Sequence, residues 1–440
     1  MKIAVAGTGY VGLVTGVALA HIGHNVTCLD VNEDKIKILK QGISPIYEEN
    51  LEELMQKNKD RLTYTTDYES AYKDAEVVII GVGTPERADG SANLDYVYGV
   101  CKQIADSLIN DCVVVVKSTV PIGTNDEVEK YLKENVKKGI KIDVVSNPEF
   151  LAQGTAVRDT LHASRIVVGA EDQRAKEVIC KMYEPLTKEP YNVPILTTNR
   201  RSAEMIKYAS NDFLALKISY INEIANLCEN LGANIEDVTK GMGYDARIGN
   251  KFLNAGIGYG GSCFPKDTKA LHWLSVTEGV ELKTIKACIE VNKNQKLRLY
   301  HKLKEDLPEL LNKKIAVLGL TFKPGTDDLR EAPSIDNIEL LLDAGADIKA
   351  FDPIGIENFK KKIAYKLEAD GIEGKISYYN NIDDAIKDTE AALIMTEWPI
   401  IKEYNINNYK KLMKTPRVYD GRNCYPLDKT KDIIYKSIGR

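Results

Sequence analysis

The sequence has few of the residues that mark metal-binding and nucleic-acid-binding proteins. It contains five histidines among 440 residues, and none is spaced like a metal ligand. Its eight cysteines form no CxxC pair, which favours reduced thiols over a zinc site or disulfides. Acidic residues outnumber lysines and arginines, and the formal net charge of −5 gives no basic surface for nucleic acid. We therefore expect neither a metal site nor a nucleic-acid partner.

Long apolar runs are missing as well. No stretch approaches the roughly 20 apolar residues of a membrane span. The first apolar strand starts at Lys2, so we expect no signal peptide before it. These features predict a cytoplasmic protein without a membrane partner. A hydrophobic content of 44% over 440 residues is enough for the cores of two or three domains.

The first 30 residues carry a dinucleotide-binding pattern. A short apolar strand at residues 2–6 runs into Gly7, Gly9 and Gly12, and a helical pattern follows. In such a turn the three glycines allow a tight bend, close approach of a pyrophosphate, and packing of helix on strand. A second strand ends at Asp30, where a carboxylate can accept a hydrogen bond from a ribose hydroxyl and would repel a 2′-phosphate. We predict NAD over NADP; a doubly wound fold without a nucleotide is the alternative.

Three further apolar strands end in small polar residues. They cover residues 77–80, 112–116 and 144–146. The carboxyl ends of parallel strands form the ligand-binding edge of such a sheet, so Thr84, Thr119 and Glu149 are predicted to lie there. Taken alone, Glu149 is also compatible with a surface acid.

The middle of the chain has long helical patterns. One runs from Ser202, the predicted N-cap, to Leu231, and a second covers residues 282–307. Lys207 and Asn211 are four residues apart and therefore share a helix face. A solvent-exposed pair is the alternative to a functional one.

The ten residues from Gly258 to Asp267 combine glycines, a thiol, an ammonium group and a carboxylate. Cys263 can serve as a nucleophile, since thiolates form covalent intermediates, and Lys266 would favour the thiolate. Asp267 can move a proton or orient water. A glycine-rich turn with a buried, inert cysteine is the alternative.

The last part of the chain repeats the first. Residues 314–319 match residues 2–7, and a strand ending at Asp352 matches the one ending at Asp30. Its first loop carries Lys323 and Arg330 in place of the three glycines, which predicts a phosphate-bearing ligand held by charge. The predicted fold is α/β. Two Rossmann-like doubly wound domains, residues 1–200 and 301–440, are joined by an all-helical central domain, residues 201–300.

Together these motifs resemble the UDP-glucose/GDP-mannose dehydrogenase family, and within it the UDP-glucose 6-dehydrogenases, over essentially the whole chain. The motifs that carry the resemblance are Gly7 to Gly12, Ser118-Thr119, Asn147 to Leu151, Gly260 to Asp267 and Phe322-Lys323. The resemblance implies a homodimer that oxidises the C6 alcohol of UDP-glucose to the carboxylate. It also implies two NAD per sugar and a cysteine thiohemiacetal that becomes a thioester.

The resemblance also implies roles for individual residues. Cys263 would be the nucleophile and Glu149 the general acid or base of the thioester stage, with Lys207, Asn211, Asp267 and Thr119 as the other catalytic residues. The implied NAD-binding residues are Gly7, Gly9, Val11, Gly12, Asp30, Lys35, Thr84, Thr119, Lys266 and Arg330. The implied substrate-binding residues are Glu149, Phe150, Leu151, Ala152, Gln153, Lys207, Arg247, Phe252, Leu253, Asn254, Ala255, Gly256, Gly260 and Lys323. Arg247 is similar to a residue that reaches across the family's dimer interface.

One position departs from the family pattern. Many members carry a second glutamate four positions after Glu149, where this chain has Gln153. A neutral amide still forms hydrogen bonds, so we expect altered contacts there and not lost chemistry.

Three other functions remain open from the sequence. The same chemistry can act on GDP-mannose or a UDP-N-acetyl-hexosamine. A two-electron 3-hydroxyacid-type dehydrogenase shares the first Rossmann domain and the Lys/Asn pair, but it has no use for Cys263 or for a second Rossmann-like half. A non-catalytic sensor would bind both ligands without turnover, and the combination of Cys263, Glu149 and Asp267 argues against it.

Overall fold

A computed structural model describes residues 1–440, except for the side chain of Glu373. The chain forms two compact units, Met1–Ser210 and Asn211–Arg440. Among the described residues, no helix combines the length and the apolar character needed to cross a membrane. The same residues contain no group of three or more histidine, cysteine or acidic side chains arranged to hold a metal ion.

The first unit is built on an eight-stranded sheet. Its strands are β1 (Lys2–Ala6), β2 (Asn25–Leu29), β3 (Leu62–Thr65), β4 (Val77–Ile80), β5 (Cys112–Val116), β6 (Ile142–Ser146), β7 (Ile166–Gly169) and β8 (Ile195–Thr198). Its helices are α1 (Tyr10–His21), α2 (Glu33–Lys40), α3 (Leu51–Lys57), α4 (Tyr68–Tyr72), α5 (Asp95–Ser107), α6 (Thr124–Asn135), α7 (Ala156–Leu161), α8 (Gln173–Tyr183) and the start of α9 (Arg200–Leu231).

The strand order in this sheet is β3-β2-β1-β4-β5-β6-β7-β8. Every neighbouring pair is parallel except β6 with β7. Strands such as β5, whose five residues are all buried, are apolar on both faces because a helix layer covers each side of the sheet. The chain reverses direction across the sheet between β1 and β4, which is where such sheets bind ligands.

The second unit contains the remaining helices and a six-stranded sheet. Its helical part comprises the rest of α9, then α10 (Ile235–Gly243), α11 (Phe264–Thr277), α12 (Lys283–Lys296) and α13 (Arg298–Asp306). Its strands are β9 (Lys314–Leu318), β10 (Asp347–Phe351), β11 (Ile376–Tyr379), β12 (Ala391–Ile394), β13 (Arg417–Asp420) and β14 (Ile434–Lys436). The helices among them are α14 (Pro333–Asp343), α15 (Ile356–Asp370), α16 (Ile382–Ile386), α17 (Pro399–Lys402) and α18 (Ile406–Leu412).

The second sheet repeats the plan of the first. Its order is β11-β10-β9-β12-β13-β14, and all its pairs are parallel. β9 lies between β10 and β12 just as β1 lies between β2 and β4, so the repeat seen in the sequence corresponds to a repeated sheet. The predicted fold class, two Rossmann-like sheets and a helical region between them in the chain, is therefore confirmed. The domain boundaries at residues 200 and 300 stay a prediction.

Two helix boundaries differ from the sequence prediction. Ser202 is not the N-cap of α9, because the helix begins at Arg200 and the side-chain Oδ1 of Asn199 accepts a hydrogen bond from the Ser202 N–H at 2.7 Å. Asparagine is as good an N-cap as serine, and here it stands three residues earlier. The helical pattern over 282–307 is two helices, since Leu297 ends α12 and precedes α13.

Candidate active site

The glycine turn after β1 leaves room for a nucleotide phosphate. Gly7 has φ +96° and packs so closely that a Cβ there would lie 2.9 Å from the Gly81 carbonyl oxygen. A Cβ on Gly12 would lie 2.0 Å from the Gly7 carbonyl oxygen, whereas a Cβ on Gly9 would meet nothing within 4 Å. Gly7 and Gly12 therefore serve packing, and Gly9 keeps the surface open at the start of α1, where the positive end of the helix favours an anion. This arrangement fits a dinucleotide pyrophosphate.

Asp30 follows β2 at the same edge of the sheet. Its Oδ2 accepts hydrogen bonds from the Thr8 N–H at 2.9 Å and the Thr8 hydroxyl at 2.6 Å, and its Oδ1 accepts from the Asn32 N–H at 3.0 Å. Lys35 Nζ lies 3.8 Å from Oδ2. Burial alone would raise the pKa of Asp30, but these donors and the Lys35 charge outweigh it and keep the pKa below its usual value. Asp30 is thus an ionised acceptor.

The ends of β4 and β5 are tied together by side chains of the predicted site. The Thr84 hydroxyl donates to the Thr119 carbonyl oxygen at 2.8 Å, and the Ser118 hydroxyl donates to the Val82 carbonyl oxygen at 2.6 Å. These bonds fix the two loops next to each other at the carboxyl edge. Thr84 and Thr119 are therefore brought together, as the strand pattern predicted.

Glu149 and Lys207 form a buried ion pair within the first unit. Lys207 Nζ lies 2.8 Å from Glu149 Oε1 and also donates to the Glu149 carbonyl oxygen at 2.7 Å. Glu149 Oε2 accepts from the Leu151 N–H at 2.7 Å, and both side chains are less than 10% exposed. A buried carboxylate is stable only with such partners, so Glu149 is not a surface acid.

Lys117 is a second buried cation near this pair, and the sequence reasoning missed it. Its Nζ donates to Asn147 Oδ1 at 3.1 Å, and Asn147 Oδ1 also accepts from the Tyr183 hydroxyl at 2.7 Å. Burial lowers the pKa of Lys117 to about 8; the Glu149 charge opposes this shift and the Lys207 charge adds to it. Lys117 therefore loses its proton more readily than an exposed lysine does.

Glu48 was also missed by the sequence reasoning. It is 9% exposed, and its two carboxylate oxygens accept hydrogen bonds from the backbone N–H groups of Gly154 and Ala156, each at 2.7 Å. Ala156 is the first residue of α7. Glu48 thus anchors the end of the segment 149–156, which carries five of the predicted substrate-binding residues.

A stacked arginine holds the start of the same segment. Arg165 Cζ lies 3.7 Å from the centre of the Phe150 ring, and Arg165 also donates to the Ser210 hydroxyl at 3.1 Å. Phe150 is among the predicted substrate-binding residues, whereas Arg165 carried no signal in the sequence. The stacking limits the positions that the Phe150 ring can take.

In the second unit, the glycine-rich loop before α11 packs against the loop after β9. A Cβ on Gly260 would lie 2.3 Å from the Glu331 carbonyl oxygen, and a Cβ on Gly261, which has φ +81°, would lie 2.8 Å from the Phe322 ring. The Gly261 N–H donates to the Arg330 carbonyl oxygen at 2.7 Å. Glycine is therefore required at both positions for the two loops to meet.

Cys263 lies directly before the first residue of α11. Of the eight cysteines, all of them described, it is the only one classed as exposed, and six others are buried. Its carbonyl oxygen accepts from the Asp267 N–H at 2.9 Å, the first turn of the helix. The helix N-terminus stabilises negative charge, so this location suits a thiolate. The alternative of a buried, inert cysteine does not fit this exposure.

Asp267 is the centre of a small polar cluster in the second unit. Its side chain is 1% exposed; Lys266 Nζ lies 2.5 Å from Oδ1, and the Asn211 amide donates to Oδ2 at 2.7 Å. The structure thus brings Asn211, from the helix motif, together with Lys266 and Asp267 of the glycine-rich motif.

The cations of the loop after β9 have different surroundings. Lys323 Nζ lies 5.5 Å from the centre of the Phe322 ring, whereas the Arg330 guanidinium forms a bidentate pair with Asp328, with Nη2 to Oδ2 at 2.6 Å. Arg330 would have to share its charge between Asp328 and a phosphate. The predicted phosphate contacts of both cations stay a prediction.

The remaining predicted substrate-binding residues are Arg247 and the loop Phe252 to Gly256 in the second unit. Phe252 has φ +64°, and its ring lies 6.2 Å from that of Phe264. The Gly256 N–H donates to Asn222 Oδ1 at 2.9 Å, which holds the loop to α9. The Arg247 side chain is 89% exposed and pairs with Asp245. Leu253 and Ala255 are buried, whereas Asn254 is exposed.

Arg422, which follows β13, was missed by the sequence reasoning. It donates to the carbonyl oxygens of Gly258 at 3.0 Å, Met395 at 2.9 Å and Phe322 at 3.4 Å, and its side chain is 13% exposed. Three loops at the carboxyl edge of the second sheet therefore converge on one guanidinium.

The acid that follows β10 is used differently from Asp30. Asp352 is 2% exposed, and its Oδ2 accepts from the Leu320 N–H at 2.7 Å and the Trp398 indole N–H at 3.1 Å. Its Oδ1 accepts from the Gly355 N–H at 2.7 Å. Asp30 and Asp352 thus occupy equivalent positions after the second strand of their sheets. The oxygens of Asp352 accept hydrogen bonds from neighbouring loops of the protein.

Comparison with known proteins decides the family. Residues 1–187, 201–294 and 316–427 match the NAD binding, central and UDP binding domains of the UDP-glucose/GDP-mannose dehydrogenase family. This chain belongs to that family. It is an NAD-dependent dehydrogenase, as the fingerprint at Gly7, Gly9 and Gly12 predicted.

Individual relatives of this dehydrogenase cover its full length. It is 47% identical to a UDP-glucose 6-dehydrogenase of Bacillus subtilis (strain 168) over 100% of this chain and 98% of the relative. It is 45% identical to the enzyme of that name from Rhizobium meliloti (strain 1021), over 100% of both chains. A solved UDP-glucose dehydrogenase of the archaeon Pyrobaculum islandicum has TM-score 0.90 at 35% identity, covering 99% of this chain and 96% of that one.

We predict that Glu48→Ala loosens the segment 149–156. The buried N–H group of Ala156 and the part-buried one of Gly154 lose a charged acceptor, and a buried bond of this kind is worth roughly 1.5–3 kcal/mol. Hydrogen exchange of the peptide spanning residues 150–160 should therefore become faster. Glu48→Gln should fall in between, because an amide oxygen can still accept one of the two bonds.

The neighbouring exposed Glu49 provides the control. Glu49→Ala should leave the exchange of that peptide unchanged. Equal exchange in the Glu48→Ala and wild-type proteins would show that Glu48 does not anchor the segment.

Proposed function

We propose that this dehydrogenase oxidises UDP-glucose to UDP-glucuronate and reduces two NAD per sugar, with Cys263 carrying the sugar as a thioester. The observation that carries the proposal is the exposed Cys263 at the start of α11, beside the Lys266–Asp267 pair in the sequence. The family domains and the full-length similarity to proteins named UDP-glucose 6-dehydrogenase support the substrate.

A four-electron oxidation of an alcohol requires a nucleophile to add covalently to the intermediate aldehyde. The first oxidation converts the C6 alcohol to an aldehyde, which has no second hydride to give until something adds to its carbon. The Cys263 thiolate forms a C–S bond to that carbon, and the carbonyl oxygen becomes an oxyanion. Bound NAD supplies the hydride acceptor for both oxidations.

The Cys263 thiohemiacetal then becomes a thioester and is hydrolysed. Loss of hydride from its carbon restores the C=O bond. Water adds to the thioester, the C–S bond breaks, and Cys263 leaves as a thiolate. The balance is one alcohol, two NAD⁺ and one water giving one carboxylate, two NADH and three protons.

The polar residues have distinct roles in this proposal. Lys207 and Asn211 stabilise the oxyanion, an effect often worth about 3 kcal/mol per donor. Glu149 acts as the general acid or base of the thioester stage, with Thr119 and Asp267 positioning the water. The Glu149–Lys207 pair at 2.8 Å supports this assignment, because it fixes the direction of the Glu149 carboxylate and keeps an ammonium group beside it.

The UDP group is assigned to the second half of the chain. Lys323 pairs with its phosphates, and the segments 149–153 and 252–256, together with Gly260, contact the nucleotide sugar. The match of residues 316–427 to the UDP binding domain supports this assignment. A cytoplasmic location is part of the proposal, because Cys263 must stay reduced, and cell fractionation tests it.

The substrate and the stoichiometry are tested together. In an assay of NAD reduction across UDP-glucose, GDP-mannose, UDP-N-acetylglucosamine and UDP-N-acetylmannosamine, UDP-glucose should give the highest kcat/KM. It should yield two NADH per sugar consumed, and NADP should be a poor substitute because Asp30 would face its 2′-phosphate.

One NADH per sugar would instead support a two-electron dehydrogenase. Binding of both ligands without NADH formation would support a sensor. A higher kcat/KM for another sugar would move the substrate assignment, and comparable kcat/KM with NAD and NADP would overturn the role of Asp30.

We predict that Cys263→Ser nearly abolishes formation of the sugar acid. A hydroxyl is a much weaker nucleophile than a thiol at neutral pH, and its ester would hydrolyse slowly. Intact mass and NADH measured together in a single turnover should show at most a trace of NADH or a trapped ester. Cys180→Ser, which changes a half-buried thiol of α8, should retain wild-type turnover. Near wild-type acid formation by Cys263→Ser would exclude the thioester.

The homodimer is proposed from an apolar stripe on α9. Phe213, Tyr220 and Leu227 are spaced seven residues apart and are 61%, 50% and 51% exposed, so they lie along one side of the helix. A second copy of the chain would cover them.

Sedimentation equilibrium should therefore show a dimer for the wild-type protein and a shift towards monomer for Leu227→Asp. Val280→Asp, a matched change at a 65% exposed apolar residue outside α9, should remain dimeric. A monomeric wild-type protein at micromolar concentration would exclude this interface.

A further inference from the structure

Asp212 is a buried carboxylate that no predicted role accounts for. It follows Asn211 on α9 and is 2% exposed. Among the residues that the structure describes, neither of its side-chain oxygens has a hydrogen-bond partner. A buried polar group without partners is rare, so Asp212 requires a physical explanation.

The charged and titratable groups that face Asp212 come from three other elements. Lys266 and Asp267 lie on α11, Tyr259 lies in the glycine-rich loop, and Cys288 lies on α12. The Tyr259 hydroxyl and the Cys288 thiol are 3.5 Å apart and bond to each other. Burial raises the pKa of both groups, so they remain neutral near pH 7.

Asp267 already uses the cation that Asp212 would need. Both Asp267 oxygens are engaged, Oδ1 by Lys266 and Oδ2 by Asn211. An ionised Asp212 would therefore be a second buried negative charge beside Asp267 without a hydrogen bond of its own. Such a charge is strongly unfavourable, and the group takes up a proton instead.

The electrostatic balance agrees with this geometry. Burial raises the pKa of Asp212 to about 8, the Asp267 charge raises it further, and Lys266 opposes the shift only in part. Two carboxylates that share one site generally keep one proton between them. Here the geometry decides which one keeps it, because Asp267 has the partners.

We propose that Asp212 is a positioning residue that stays protonated in the neutral range and so leaves Asp267 as the single negative charge that Lys266 and Asn211 hold in place. The functional part of this inference rests on the role given to Asp267 in the proposed function. At alkaline pH, ionised Asp212 competes with Asp267 for Lys266 and disturbs the geometry of the cluster. We therefore expect activity to fall at high pH as Asp212 ionises.

The pH dependence of stability has a defined sign. The pKa of Asp212 is higher in the folded protein than in the unfolded chain. Its contribution to stability is fully present below the unfolded pKa, and it is lost as pH rises to about 8. An uncharged replacement avoids this loss.

The test is Asp212→Asn, which keeps the shape of the side chain but cannot ionise, with the exposed Asp237→Asn as the matched control. With UDP-glucose and NAD, the kcat of Asp212→Asn at pH 7 should be within about threefold of wild type, since it mimics the protonated form. At pH 9 wild-type Asp212, with its pKa raised to about 8, is mostly ionised, so the kcat of Asp212→Asn should exceed that of wild type severalfold there. Asp237→Asn should follow the wild-type profile.

Superimposable pH profiles of wild type and Asp212→Asn would overturn the proposal. So would a loss of more than tenfold in kcat at pH 7 by a folded Asp212→Asn protein, since that would require the ionised form. If Asp212→Asn does not fold, Asp212→Ala is the second variant. It also cannot ionise, and it breaks no hydrogen bond because the Asp212 side chain makes none with the described residues.

A second measurement separates this inference from the proposed function. The thermal midpoint of Asp212→Asn should exceed that of wild type, by a margin that widens from pH 5 to pH 8 without any substrate. A constant margin over that range would show that Asp212 is ionised throughout and would overturn the inference. Failure of the wild-type protein to oxidise any nucleotide sugar would instead overturn the proposed function.

Discussion

Parallel pairing around β1 in the first unit, and around β9 in the second, is the constraint on which the rest of the structure depends. Parallel strands must return through a crossover, so every strand of such a sheet delivers its carboxyl end to the same edge. In the first unit this edge gathers Asp30, Thr84, Thr119 and Glu149 from four different strands. Residues that are far apart in the sequence thereby reach one edge of the sheet, and Thr84 and Thr119 are hydrogen-bonded there.

Three buried carboxylates each have specific partners that make their burial possible. Glu149 has Lys207, Asp267 has Lys266 and Asn211, and Glu48 has two backbone N–H groups. Removing a carboxylate from water is unfavourable by several kcal/mol unless such partners are present. The same partners fix the direction of each carboxylate, which is the property that catalysis needs.

Local patterns predicted the features that depend on neighbouring residues. The strands, the glycine turn at Gly7 and the two repeated sheets follow from hydrophobic runs and glycine spacing, which the structure confirms. The predictions of Ser202 as the N-cap of α9 and of one helical stretch over 282–307 were wrong, because several local structures have similar energies there and tertiary packing selects among them. The catalytic and binding roles of individual residues stay predictions.

Other features depend on contacts that no local pattern contains. Glu48 meets Gly154 and Ala156 more than a hundred residues later, and Arg422 meets the Gly258 carbonyl from 164 residues away. The neighbours of each residue in the sequence do not reveal these distant partners, so a single sequence offers no signal for them. The sequence also does not predict that Asp212 is buried without a hydrogen-bond partner among the described residues, because in the helical pattern it is one of many polar residues.

The occupied carboxylate of Asp352 makes the repeat asymmetric. Both halves of the chain place an acid after the second strand of the sheet, but the oxygens of the second acid accept hydrogen bonds from Trp398 and from backbone N–H groups of the loops after β9 and β10. Two identical sheets in one chain would each present a carboxylate to a ribose, and a dinucleotide could then bind to either sheet. Because the oxygens of Asp352 are already used within the protein, the second sheet keeps the architecture of its counterpart without a second carboxylate open to a ribose.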